Sequence, residues 1–313
     1  MEPAATEDLG FGITRIDADY LQPGLVCFYL LESNGEYALV ETGTQHSVPR
    51  LQALMQARGI APGQVRYVIP THVHLDHAGG AGVMMDIFPN AELLAHPRGA
   101  RHLIDPARLV QGSREVYGDE VFQQLYGDIR PVAARRVIEV ADGETVQFGG
   151  RRLLLRHTPG HADHHFCIWD EVSRGWFSGD VFGISYDWFR TPGGDYSMPA
   201  TTPTQFRPEA LKASLVLLGA MGPVTIYLTH FGALAYTREK QQMLMRQIDD
   251  YVALARDCAG DAAVMEEALM DYSQQRVEEM NAGVEMRHMR ERFRHDAHLN
   301  AQGLAVWMQR QQI

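Results

Sequence analysis

Residues 71–80 read THVHLDHAGG, which sets His72, His74, Asp76 and His77 within six positions. In a chain with fourteen histidines among 313 residues, H-x-H-x-D-H arises by accident on the order of one time in a thousand. Neutral imidazole and carboxylate are common protein donors to zinc, iron and manganese. In a loop leaving a strand, residues two apart can aim at one point, so His72 and His74 are placed to grip one ion. Asp76 and His77 can then face a second. A complete site needs further donors, and these should also follow strand ends.

Three residues meet that condition. His161 in HTPGH follows the strand-like RRLLLRHT, Asp180 in FSGD follows GWFS, and His230 closes VTIYLTH. Outward from the histidine cluster, the rest of the chain supplies the strands this reading needs. LVCFYLLES and EYALVETG are strand-like and meet at Asn34-Gly35, a pair that favours a tight hairpin turn. SVPRLQALMQARG carries Val48, Leu51, Leu54 and Met55 at helical spacing, with Gly59 as its stop. VRYVIP is a short apolar strand leading directly into the cluster, and AGGAG opens a helix that runs to about Phe88. AELLA follows as a buried strand. ETVQF and RRLLLRHT join at Gly149-Gly150, and HHFCIWD and GWFSGD continue the β pattern.

Residues 97–135 are charged, partly helical and punctuated by Gly and Pro, as expected of an insertion. From Tyr236 onward the pattern is helical, with breaks expected at Gly260 and Gly283. The division that follows is a catalytic domain over 1–235 and a helical extension over 236–313. No repeat with a period of 20–50 residues is visible.

Composition narrows the function. A hydrophobic fraction of 45% provides for a sizeable core. The net charge of −11, from 28 basic and 39 acidic side chains, argues against nonspecific nucleic-acid binding. The most apolar stretches are short or broken by Gly and Pro, whereas a membrane span needs roughly 20 apolar residues. MEPAATEDLG lacks the basic-then-apolar order of a signal peptide. Cys27, Cys167 and Cys258 form neither a disulfide framework nor a C-x-x-C site. A cytoplasmic protein acting on a small molecule is expected. The apolar stripe Leu299, Leu304, Val306 and Trp307 suits core packing or a homodimer contact.

Taken together, H-x-H-x-D-H, TPGH, the GD after a strand and the late histidine resemble the metallo-β-lactamase superfamily. The resemblance covers about residues 10–235, on the glyoxalase-II and lactonase side of that group. It implies a four-layer αβ/βα sandwich carrying a helical insertion and a helical C-terminal extension. It also implies two divalent metal ions, zinc first, with iron or manganese as alternatives. His72, His74 and His161 would hold one ion, Asp76, His77 and His230 the other, and Asp180 would bridge them. One departure is visible: the motif before T-G usually begins with Asp, and here it is Glu41 in VETG.

Two close metals lower the pKa of a shared water and polarise a carbonyl or phosphoryl oxygen. The function expected is hydrolysis of a small ester-like bond, a thioester or lactone, by a bridging hydroxide that Asp76 orients. The alternative is a non-haem iron oxidoreductase of the same fold, of the persulfide dioxygenase or di-iron oxidase type. Tyr186, Trp188 and Phe189 in GISYDWFR are candidate walls for an acyl or aromatic substrate. They serve equally as packing between that loop and the helical tail. His164, three residues past His161, is a further candidate on the substrate side. His288, His295 and His298 read as an ordinary helix face.

Overall fold

The computed structural model of the protein describes residues 5–191, 194–201, 204–280 and 289–311. The chain separates into two compact units, one from Met1–His157, His164–Gly179 and Val224–Leu234. The other comprises Thr158–Asp163, Asp180–Pro223 and Ala235–Ile313.

The first unit holds two sheets. One contains seven strands in sequence order: β1 (Thr6–Asp8), β2 (Ile13–Asp17), β3 (Cys27–Ser33), β4 (Glu36–Val40), β5 (Val65–Ile69), β6 (Glu92–Ala95) and β7 (Val137–Glu139). The β3–β4 hairpin turns through Asn34 and Gly35 at φ 49° and 77°, with Ser33 paired to Glu36. Positive φ at both central residues is what a type I′ turn requires, and its twist matches the flanking strands. From β4 to β7 all pairs are parallel, so each connection must cross over the sheet. The crossovers are α1 (Val48–Arg58), the pair α2 (Leu75–Ala78) and α3 (Ala81–Ile87), and the insertion helices α4 (Pro97–Ile104), α5 (Ala107–Tyr117) and α6 (Asp119–Tyr126). Helix α1 buries Val48, Leu51 and Met55 and stops at Gly59, which takes the left-handed conformation.

The second sheet is built from β8 (Thr145–Phe148), β9 (Arg151–His157), β10 (Phe166–Asp170), β11 (Gly175–Gly179), β14 (Thr225–Leu228) and β15 (Gly232–Ala235), in the order β15-β14-β11-β10-β9-β8. The intervening β12 (Arg190–Thr191) and β13 (Gly194–Asp195) pair only with each other. Side chains of the two sheets meet where the Tyr29 ring lies 5.1 Å from Phe177 and 5.8 Å from Tyr227. A fully buried ion pair, Arg151 Nε to Asp170 Oδ1 at 2.8 Å and Nη2 to Oδ2 at 2.7 Å, locks β9 to β10.

The second unit is mainly helical: α7 (Pro208–Ala220), α8 (Arg238–Asp257), α9 (Ala262–Met280) and α10 (Met289–Gln311). Its long loop is tied to α10 by Tyr186 Oη donating to Asp296 at 3.0 Å and by Phe189 stacked on Phe293 at 4.8 Å. Asn300 adds a third tie, its Oδ1 accepting from Thr201 N–H at 2.6 Å. The tail is helical as expected, and Gly260 ends its α8–α9 turn at φ 76°. The break expected at Gly283 and the helix-face residue His288 lie outside the described residues. Among the described residues, no helix is long and apolar enough to cross a membrane.

These elements form the αβ/βα sandwich with a helical insertion and C-terminal helices. Two local readings change. The sequence places the last strand at VTIYLTH, yet GALA adds β15 beyond it. The histidine cluster is not wholly loop either. His74 starts a helical turn, its carbonyl accepting from His77 N–H at 3.1 Å and Ala78 N–H at 2.8 Å, so Asp76 and His77 ride on α2.

Candidate metal centre

The site begins where β4 and β5 end. Glu41, the residue after β4, is fully buried and takes a left-handed φ of 64°. A non-glycine residue held there is strained, and such strain persists only where surrounding bonds over-determine it. Those bonds are present. Glu41 Oε1 accepts from His77 Nδ1–H at 2.9 Å, Thr71 Oγ1–H at 2.6 Å and Thr229 Oγ1–H at 3.0 Å, while Oε2 accepts from Thr71 N–H at 2.9 Å. One carboxylate therefore gathers the ends of β4, β5 and β14.

The turn carrying Asp76 and His77 is held from the other side by Thr42. Its N–H and its hydroxyl both donate to the His77 carbonyl at 2.8 Å. Gly80 permits this approach, since a Cβ there would lie 2.8 Å from the Thr42 carbonyl oxygen and 2.9 Å from that of Thr44.

Asp76, His77 and His230 converge. Asp76 Oδ2 lies 3.5 Å from His77 Nε2 and 3.4 Å from His230 Nε2, and the two Nε2 atoms are 3.3 Å apart. Donors about 2.0–2.2 Å from a tetrahedral ion stand about 3.3–3.6 Å from one another. The triangle thus has the edges of a metal-ligand face. Ring orientation agrees: His77 donates Nδ1–H to Glu41 and His230 donates Nδ1–H to the Leu25 carbonyl at 2.9 Å. Both Nε2 atoms then carry lone pairs aimed at one point, and facing lone pairs favour a cation between them.

His72 and His74 form a second pair, His72 Nε2 lying 2.8 Å from His74 Nδ1. The Thr71 hydroxyl gives its proton to Glu41, so its oxygen accepts His72 Nδ1–H at 3.1 Å. This leaves the His72 Nε2 lone pair toward His74. An ion held by both would move the two nitrogens apart by about half an ångström, from the same tetrahedral edge.

In the second unit, His161 donates Nδ1–H to the Ala200 carbonyl at 3.0 Å and sets Nε2 3.4 Å from Asp180 Oδ2. Both side chains are buried, and the spacing again equals a ligand edge.

The substrate candidates differ among themselves. His164 lies beside the first-unit histidines, its ring 6.2 Å from His72 and 5.9 Å from His74, with Nδ1 accepting Val73 N–H at 3.5 Å. Tyr186 and Phe189 are buried and engaged with α10, whereas Trp188 is partly exposed, with the Arg292 guanidinium 5.4 Å over its ring. Sequence reading registers Glu41 only as a departure from a motif. It passes over Tyr20, Tyr117 and Tyr126, three phenols packed together beside Leu75. The signal for Glu41 was its place just after a strand, as for the ligands. No spacing rule links the three tyrosines.

The profile of the Metallo-beta-lactamase superfamily matches residues 22–230, and the chain belongs to that superfamily. It is 25% identical over 169 residues to metallo-beta-lactamase fold-containing protein ST1585 of Sulfurisphaera tokodaii, covering 53% of this chain and 60% of that one. It is 26% identical over 208 residues to the human acyl-coenzyme A thioesterase MBLAC2, covering 60% of this chain and 70% of the enzyme. Among solved structures, metallo-beta-lactamase family protein TTHA1429 from Thermus thermophilus superposes with a TM-score of 0.64 at 21% identity. That match covers 96% of this chain and 94% of the other. The fold and its His/Asp clusters imply divalent metal ions.

Proposed function

We propose that this protein is a two-metal hydrolase of small ester-like bonds, with thioesters and lactones as its substrate class and zinc as its metal. The observation that carries this reading is the Asp76–His77–His230 triangle, whose 3.3–3.5 Å edges suit a divalent ion. In this reading His72, His74 and His161 hold the other ion, with Asp180 shared. The similarity to a human acyl-coenzyme A thioesterase supports the thioester class.

Divalent ions held by these residues would supply Lewis-acid polarisation of a carbonyl and a lowered pKa for water. The chain's own groups do the remainder. Asp76 orients the attacking water and carries its proton toward the leaving group. His164, whose Nδ1 accepts a backbone N–H, presents Nε2–H as a donor for the substrate carbonyl oxygen. Tyr186 and Phe189 fix the 184–190 loop so that the Trp188 ring is offered to an acyl or aromatic part of the substrate.

The test is metal identity and stoichiometry on protein purified without chelator or added metal, followed by a panel of esters, thioesters and lactones. About two zinc ions per chain with thioester or lactone turnover is the expected result. A single iron per chain would overturn the ligand assignment and redirect the assays to oxygen consumption with thiol or persulfide substrates.

A further inference from the structure

The insertion does more than cross the sheet. Tyr117 ends α5 and Tyr126 ends α6, and Tyr126 bridges Tyr117 to Tyr20 from the loop after β2. The Tyr126 ring lies 6.0 Å from that of Tyr20 and 6.1 Å from that of Tyr117. Tyr20 Oη donates to Tyr126 Oη at 3.2 Å. Leu75, adjacent to Asp76, packs with Phe122 and Tyr126 as the buried base of the cluster. Three phenols are therefore held beside the turn that carries Asp76.

Counting protons defines what the cluster lacks. Three phenols own three O–H donors, and the bond from Tyr20 to Tyr126 uses one. The Tyr117 and Tyr126 hydroxyls keep their donors for an acceptor outside the trio. Burial first, and with it the charge of Asp76, push all three phenols above their ordinary pKa. They are thus neutral donors rather than bases near pH 7. The remaining members of the cluster are apolar, and the Asp76 carboxylate repels an anion.

We infer that Tyr20, Tyr117 and Tyr126 form a specificity-determining surface for a neutral, hydrogen-bond-accepting arm of the substrate, chemically an amide carbonyl. This rests on the hydrolase reading above and extends it to the choice among thioesters. The insertion supplies two of the three phenols, so it reads the substrate while the strand ends perform the chemistry.

Two thioacetates separate this surface from mere packing: S-acetyl-N-acetylcysteamine, whose thiol arm carries an amide, and S-propyl thioacetate, whose arm does not. Tyr20→Phe and Tyr126→Phe keep the rings and remove the hydroxyls. Each is expected to raise KM for the amide-bearing substrate about five- to tenfold, the worth of one hydrogen bond, without changing kcat. The S-propyl ester should be unaffected. Equal effects on both substrates, or no effect on either, overturn the inference. If the wild-type protein cleaves neither ester, the hydrolase reading fails separately. Calorimetry with the non-hydrolysable thioether N-(2-ethylsulfanylethyl)acetamide then decides. Weaker binding by Tyr126→Phe than by the wild type supports the surface, and equal or absent binding overturns it.

Discussion

His77 Nδ1 stands 2.9 Å from Oε1 of Glu41, and both side chains are fully buried. That bond fixes the imidazole tautomer and aims Nε2 away from the carboxylate toward Asp76 and His230. Such outer partners of a metal ligand tune affinity as well as geometry. Replacing Glu41 by Gln puts an amide donor where at least one N–H or O–H donor already points. Glu41→Gln is expected to cost about 2–3 kcal/mol of stability, in the range for hydrogen bonds to a charged group. It should also weaken metal binding about 10- to 100-fold. Urea unfolding and chelator competition measure the two effects. Unchanged affinity would mean that His77 needs no orienting partner.

His74→Ala and Asp180→Ala are each expected to abolish metal-dependent turnover while leaving a folded protein. Metal added to the wild type at about 100 times its Kd should stabilise it by about 2.7 kcal/mol, and this gain should shrink in both variants. Thermal melts with and without metal supply the measurement. Full activity in either variant would remove that residue from the site.

The insertion offers a sharper dissection. Exchanging residues 105–127 for a short Gly/Ser linker removes α5 and α6 but keeps α4, which packs against β7. Altered substrate preference with metal content retained is the expected outcome. Loss of metal from the shortened protein would show that the packing on Leu75 is needed to hold the Asp76 turn.

Cys27 gives a pH prediction. Burial pushes its thiol up to about 12 from the ordinary value near 9. The folded state keeps this proton where the unfolded chain releases it. The associated stability is therefore complete below pH 9 and declines as pH rises from 9 toward 12, by up to about 1.4 kcal/mol per unit. Unfolding curves at pH 8, 9.5 and 11 should show this decline, and Cys27→Ala should remove about one proton's worth of the slope. An identical slope in the variant would assign the alkaline loss to other groups.

Much of the fold was legible because local chemistry and tertiary structure agree. Asn34-Gly35 and Gly149-Gly150 adopt the positive φ their turns demand, and Gly59 closes α1 as its position implies. The histidine cluster was legible as a candidate metal loop because three imidazoles and a carboxylate at that spacing are rare, and the structure brings Asp76, His77 and His230 together. Helix α2 was hidden: one turn is too short for a periodic pattern, and it depends on Thr42 gripping the His77 carbonyl from 35 residues away. Glu41 could be noticed but not understood, since its four bonds come from three segments. The phenol cluster was invisible for the same reason, with Tyr20 and Tyr126 separated by 106 positions. Trp188 and Phe189 are adjacent in GISYDWFR, yet only the structure separates the partly exposed ring from the one stacked on α10.

The parallel pairing of β5 with β6 has a consequence for how this chain tolerates change. Both strands run in the same direction, so the histidine loop leaves β5 at the rim from which the insertion leaves β6. Neighbouring strands lie about 4.8 Å apart. Exposed positions of the 97–135 span can therefore change beside the histidine loop, whereas Phe122 and Tyr126, which pack on Leu75, belong to the scaffold. A change confined to those exposed positions leaves the hydrogen-bonded strand ends untouched, so one rim can vary while the sheet behind it stays the same.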